Sequence, residues 1–272
     1  MINKLDLDHL KKEFSSADPF PHVVIDDFLL PETANFFFEN FPELNSVSEK
    51  FIKRFDSGYG GELKRQISPN GCNEELSSVF HKFNQEDFLK VLEKITSIKG
   101  LIPDHTYEGG GFHQTFKGGR LGIHTDFRVH KNLLLRRELN VIIYLNKDWG
   151  NDWGGELELW SRDKKKLIKK VSPAFNRCVI FQTDESSYHG HPHSLNCPSN
   201  FSRKSIALYY YSGSDLVYLE NSRKTTDYIK GNSTNFSFLN KIKYKGINLF
   251  LELCPPILAR MIFSIRSNGK FN

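Results

Sequence analysis

The sequence lacks the features that build disulfide scaffolds and membrane spans. Its four cysteines, Cys72, Cys178, Cys197 and Cys254, lie far apart with no C-x-x-C spacing. Neither a zinc ribbon nor a stapled secreted fold is therefore expected, and a reducing, cytoplasmic setting fits best. Long apolar runs are also missing. The longest, Ile247 to Ile265, is broken by Glu252, Pro255, Pro256 and Arg260, which suits a packed helix pair better than a transmembrane segment. The opening MINKLDLDHLKKEF alternates acids and bases around no apolar centre and does not read as a signal peptide. Blocks of like charge are absent too. The net charge of +5 arises from nine basic against four acidic residues between Gly213 and Asn272, dispersed among Asn, Ser and Phe, so residues 1–212 are neutral. That pattern argues against nucleic-acid binding. It marks 213–272 as a basic extension, packed on or trailing from the core and able to meet an acidic partner or a membrane surface.

What is present is a globular composition, 39% hydrophobic and 25% charged over 272 residues, enough for a sizeable core. The first part (1–108) reads as helices around one early strand. Leu7, Leu10 and Phe14 recur at helical spacing, HVVIDDFL is β-branched, and PETANFFFENF opens on Pro31. NEELSSVFHKF and QEDFLKVLEKITSI follow as two amphipathic helices. Ahead of these two, Phe51 to Ile67 holds three glycines and the bases Lys53, Arg54, Lys64 and Arg65 with no sustained period, and is expected to be a mobile loop.

From Gly109 the pattern changes to short apolar or alternating runs divided by Gly, Asn, Asp and Pro: GFHQTF, RLGIHTDF, ELNVIIYLN, GELELW, KLIKKV, RCVIFQT, SYHGHPH and RKSIALYYYS. No helical pattern intervenes, so an antiparallel double-sheet core is expected under a helical layer, a mainly β member of the α+β class. The expected organisation is a domain over 1–212, with its β core at 109–212, followed by the extension.

Within IHTDF, His124 and Asp126 share one strand face because side chains alternate. An imidazole beside a carboxylate is two thirds of the facial triad that leaves open positions on iron. Alone the pair is weak, since H-x-D also occurs on solvent-facing strands. It gains weight from a later His-rich stretch, SSYHGHPHSL, and from Arg203 beyond it, a guanidinium suited to bidentate carboxylate binding. Spacing does not choose among His189, His191 and His193, which alternate onto one face.

The segment from GGGFHQTFKGGRLGIHTDF through ELNVIIYLNKDWGNDWGGELELW to SSYHGHPHSLNCPSNFSRKSIALYYYS resembles the prolyl-4-hydroxylase-like branch of the iron(II)/2-oxoglutarate dioxygenases. The resemblance spans Gly109 to Ser212 and includes the H-x-D, H and R-x-S order with the Y-L-N and W-G-G-x-L blocks. It implies a double-stranded β-helix (jelly roll), with His124, Asp126 and His189 as iron ligands, and Arg203 with Tyr144 holding the far carboxylate of 2-oxoglutarate. Asn140 and Ser205 are implied as further residues of that pocket. Where many relatives carry a tyrosine upstream of H-x-D, this chain has Gln114, expected to donate an amide hydrogen bond instead.

The implied cofactors are Fe(II), 2-oxoglutarate and O2, with ascorbate as a reductant, and the implied reaction is hydroxylation of a C–H bond with release of succinate and CO2. The presence of Asp126 argues against halogenation, because related halogenases lack this carboxylate. The implied substrate is a prolyl residue in a protein, a free amino acid or another small metabolite. A non-catalytic binding module and a zinc hydrolase using the same three ligands are the competing readings. Arg203 and Tyr144 discriminate, since neither alternative needs a cosubstrate clamp.

Overall fold

The structure, a computed structural model, describes residues 1–56, 61–215, 218, 222 and 225–228. Met1–Lys230 form one compact unit; Gly231–Asn272 cluster as a second, which lies outside the described residues together with the helix pair expected at Ile247 to Ile265.

The expected N-terminal helices form, each with the local chemistry its sequence announces. In α1 (Leu7–Ser16) the Asp6 carboxylate accepts the His9 amide at 3.0 Å, and Leu10 and Phe14 are buried. Helix α2 (Pro31–Glu39) starts on its proline and buries Ala34 and Phe37. Asn73 caps α3 (Glu74–His81) through the Leu76 amide at 2.8 Å. Helix α4 (Glu86–Thr96) buries Phe88, Leu92 and Ile95 at spacings of three and four.

The described residues also form twelve strands: β1 (His22–Ile25), β2 (Ile52–Phe55), β3 (Glu62–Ile67), β4 (Ile102–Pro103), β5 (Gly111–Thr125), β6 (Arg136–Tyr144), β7 (Leu157–Trp160), β8 (Leu167–Val171), β9 (Cys178–Gln182), β10 (His189–His191), β11 (Ser202–Ser212) and β12 (Asp227–Tyr228). All pairings are antiparallel, and the main path runs β1-β9-β6-β11-β5-β10-β7-β8. The result is the jelly roll expected from the sequence, with helices added.

Two sequence expectations change. GFHQTF and RLGIHTDF form one strand, β5, rather than two. Gly118, with φ of +79°, lies inside it, and about there the strand changes neighbours: β11 pairs with Gly111 to Phe116, β10 and β12 pair from Leu121 onward, and β3 spans the change from Phe112 to Arg120. The supposed mobile loop at Phe51 to Ile67 is largely a hairpin, in which β2 pairs with β3 and β3 with β5. Its period was hidden because its buried face is polar: Lys64 and Gln66 are buried while Leu63 is exposed. Strand β12 falls within the stretch expected as an extension and pairs with β5 at Thr125 and His124.

Alternation on β6 and β11 separates two chemistries. Leu139, Val141 and Ile143 with Ile206, Leu208 and Tyr210 join the helices in the main core. There Phe37, Phe80, Phe83 and Phe112 pack ring to ring at centroid distances of 4.9–6.2 Å; each fully buried phenyl contributes about 2–3 kcal/mol of apolar transfer. The opposite faces carry Asn140, Ile142, Arg203, Ser205, Ala207 and Tyr209, which line a cavity between the sheets. Tyr144 shares that face, within a second core cluster with Phe20, Leu157, Leu159 and Phe181.

Candidate active site

The cavity encloses about 320 Å³. On its wall His124, at the end of β5, lies directly across from His189 on β10, with ring centroids 4.4 Å apart. Asp126 follows where β5 ends. Its Oδ1 lies 3.6 Å from His124 Nε2 and its Oδ2 3.5 Å from His189 Nε2. One donor atom from each of the three residues falls within 4.8 Å of the others, and all three residues are buried.

Each imidazole is held in one tautomer. His124 Nδ1 is 2.8 Å from the Gly122 carbonyl and His189 Nδ1 is 2.9 Å from that of Ser187. A carbonyl accepts, so the proton sits on Nδ1 and each Nε2 lone pair points at the carboxylate. Burial first, and then the neighbouring His124, push the His189 imidazolium down to about 4. That ring is neutral at pH 7, as a metal ligand must be. Two imidazole nitrogens and one carboxylate in this arrangement suit Fe(II), leaving half its coordination sphere for other ligands.

Asp126 is the most heavily tied of the three. Asn140 Nδ2 donates to its Oδ2 at 2.7 Å, and Arg137 Nη2 approaches the same oxygen at 3.1 Å while also donating to Asn140 Oδ1 at 2.6 Å. Burial alone raises the carboxyl's pKa, but Arg137 above all, with His189 and His124, holds it well below the usual carboxylate range. The Arg137 guanidinium stacks between Tyr209, 3.5 Å from its carbon to the ring centroid, and Phe127 at 4.6 Å. Asn140 thus reaches the cavity as expected, with its amide spent on orienting Asp126 and Arg137.

A second polar cluster lies along the cavity wall. Arg203 Nε donates to the Gly155 carbonyl at 2.6 Å and its Nη2 to the Tyr144 hydroxyl at 3.2 Å. Gly155 has φ of +82°, and a Cβ there would stand 2.8 Å from Leu195 Cδ2 and 3.0 Å from Arg203 Cδ. The second glycine of W-G-G therefore makes room for the guanidinium. Ser205 also lines this region.

Gln114 does not. It is in register with Lys204 and Arg65 on the outward face, where its amide donates to Ser202 Oγ at 2.8 Å. Its neighbours His113 and Thr115 have the opposite parity, and His113 lines the cavity. Of the later histidines, only His189 joins the triad. His191 is buried in the cavity wall with its Nδ1 unpartnered among the described residues, while His193 is exposed and lies 3.4 Å from Glu158.

Several lining residues were missed from the sequence. Arg137 lies three residues before Asn140, so simple alternation puts them on opposite faces. A bulge opposite Tyr210 and Tyr211 reverses the parity and brings both inward. Lys64 sits in the stretch expected to be a loop. Tyr228, whose ring centroid lies 5.0 Å from that of His124, is on a two-residue strand too short to show a period.

Fold and site together define a jelly-roll protein with a buried His-Asp-His cluster able to hold a metal ion and a buried arginine in the wall of the same cavity. Residues 110–211 match the family model of the 2OG-Fe(II) oxygenase superfamily. The matched stretch runs from β5 into β11, the strands that carry the His-Asp-His cluster and Arg203. The chain is 27% identical over 203 residues to prolyl 3-hydroxylase OGFOD1 of Mus musculus, covering 72% of this chain and 34% of that protein, so it spans about a third of that relative's length. Among solved structures, a prolyl-4-hydroxylase of Pseudomonas putida superposes with a TM-score of 0.51 at 17% identity, over 75% of this chain and 98% of that one. A prolyl hydroxylase of Trichoplax adhaerens, in complex with a hypoxia inducible factor peptide fragment, superposes with a TM-score of 0.53 at 16% identity, over 76% and 90%. Among the described residues no helix is long and apolar enough to cross a membrane.

Proposed function

We propose that this chain is an iron(II)- and 2-oxoglutarate-dependent dioxygenase that hydroxylates an unactivated C–H bond in the manner of prolyl hydroxylases. The observation that carries this reading is the pairing of two sites in one cavity: the His124-Asp126-His189 donor set, and Arg203 backed by the Tyr144 hydroxyl. A hydrolytic zinc site has use for the first and none for the second. The names of the relatives support a prolyl target; a free amino acid or another small metabolite is the wider substrate class. The dioxygenase domain, read from the sequence as residues 1–212, takes in β12 and Tyr228 from the basic stretch that follows, and the setting is assigned to the cytoplasm.

Iron held by His124, Asp126 and His189 with 2-oxoglutarate beside it would supply oxidising chemistry, with the keto acid, O2 and a substrate C–H bond giving succinate, CO2 and a hydroxylated product overall. The protein's part is positional. His124 and His189 present Nε2 atoms toward Asp126, their rings fixed by the Gly122 and Ser187 carbonyls. Asp126 stays ionised because Arg137 and Asn140 hold it so. Arg203, oriented by Gly155 and Tyr144, binds the far carboxylate of the cosubstrate and fixes its direction. Rigid strands and buried walls keep bulk water from the donor set.

The test is succinate formation from 2-oxoglutarate by the anaerobically Fe(II)-loaded protein on exposure to air, with ascorbate present. Wild type is expected to turn over slowly without substrate, and both His124→Ala and Arg203→Ala are expected to lose that turnover. Absence of turnover in wild type, together with absence of 2-oxoglutarate binding, would return the binding-module reading to first place.

A further inference from the structure

Strand β3 brings a cation into the cavity that the dioxygenase reading does not use. Lys64 is in register with Thr115, which is in turn in register with Arg203, so Lys64 and Arg203 flank one strand from either side, and both line the cavity. Lys64 is 9% exposed. No hydrogen bond or ion pair among the described residues holds its ammonium. Its Nζ lies 5.4 Å from the centroid of the Phe55 ring, which Lys53 approaches at the same distance.

The nearby acids are already committed. Asp126 is bound by Arg137 and Asn140, Glu108 at the cavity wall pairs with Lys131 at 3.1 Å, and Glu62 pairs with Arg120 at 3.0 Å. Lys53, Lys64, Arg137 and Arg203 therefore face the cavity against two carboxylates, Asp126 and Glu108. Burying an ammonium without a partner is destabilising. Burial first, then repulsion from Arg203, lower the Lys64 pKa to about 8, a burden that a bound anion relieves.

We propose that Lys64 is a carboxylate-binding residue of the cavity, a second cation beside Arg203. The carboxylate comes from one of two sources with the same chemistry: the far end of 2-oxoglutarate, shared with Arg203, or an acidic group of the substrate lying toward Lys53. The inference rests on the dioxygenase reading only for the identity of the cosubstrate.

The experiment is calorimetric titration of 2-oxoglutarate into the full-length chain loaded anaerobically with Mn(II), for wild type, Lys64→Met and Lys64→Arg. If the cosubstrate is the source, Lys64→Met weakens 2-oxoglutarate binding at least tenfold, Lys64→Arg keeps most of the affinity, and Mn(II) affinity stays within twofold of wild type. If 2-oxoglutarate binds all three proteins equally, acetate and glutarate are titrated into the Mn(II)·2-oxoglutarate complexes. Binding to wild type and Lys64→Arg but not to Lys64→Met assigns the lysine to the substrate's carboxylate. Lack of discrimination by every one of these probes overturns the proposal. Should wild type take up neither Mn(II) nor 2-oxoglutarate, the dioxygenase reading falls, and glutarate titrated into metal-free wild type and Lys64→Met decides the lysine's role by itself.

Discussion

Asn140 donates its side-chain amide to Asp126 Oδ2 at 2.7 Å while its carbonyl accepts from Arg137. One neutral residue thereby fixes both the carboxylate and its counter-ion. Removing such an orienting partner typically lowers metal affinity by about 10–100-fold. Asn140→Ala is therefore expected to weaken Mn(II) or Ni(II) binding in that range while the protein stays folded; calorimetry checks it, and an unchanged affinity would show that Arg137 alone suffices.

Arg137 and Asp126 form a buried pair, and deleting one member of such a pair leaves the other uncompensated, at a cost of about 3–5 kcal/mol. Arg137→Met should lower the urea midpoint accordingly. Arg137→Lys should restore little, because an ammonium cannot stack between Tyr209 and Phe127 and reach both Asp126 and Asn140. Chemical denaturation of both variants, without metal, gives the comparison.

Gly155→Ala tests the seat of Arg203. The substitution meets a left-handed backbone, worth about 1–2 kcal/mol, and a Cβ pressed on Arg203 Cδ. The expected outcome is 2-oxoglutarate binding weakened about tenfold, equivalent to 1.4 kcal/mol, with metal affinity retained. Loss of both would mean that the damage spreads beyond the guanidinium.

His22 makes the fold acid-sensitive away from the cavity. Its Nδ1 donates to the Phe20 carbonyl at 2.8 Å, and its Nε2 accepts from Lys169 Nζ at 3.1 Å. Burial lowers its pKa most; the Phe20 carbonyl opposes this and Lys169 adds to it, leaving the folded value below 6.5. The unfolded chain then binds a proton near pH 6.5 that the folded protein refuses, so stability falls as pH drops below that point. The stability difference between wild type and His22→Gln, followed by urea midpoints from pH 7.5 to 5, should move in the variant's favour toward acid. A constant difference would exonerate the histidine.

The legibility of the sequence followed the contrast between inward and outward faces. Helices α1 and α4 and strands β6 and β11 were readable because one face is apolar and packs on the main core. His124 and Asp126 were readable as a pair because strand alternation puts them together, and His189 was chosen over His191 by resemblance rather than by spacing. Strand β3 escaped because its buried residues, Lys64 and Gln66, are polar: a strand facing a cationic cavity inverts the pattern by which strands are recognised. Gln114 was misplaced by one position of parity, and Arg137 was hidden by a bulge, a backbone irregularity that the local sequence does not signal.

Strand β5 draws its partners from both directions along the chain, β3 before it and β10, β11 and β12 after it. Such non-local pairing places folding at the slow end, about milliseconds to seconds, and the three metal-binding side chains meet only once β10 has docked. The phenylalanine-rich core is complete without them. A small metal-dependent finger needs its ion to fold, whereas here the apolar core is separate from the His124-Asp126-His189 cluster. The metal-free chain is then expected to fold, with a cooperative urea transition that does not require added metal.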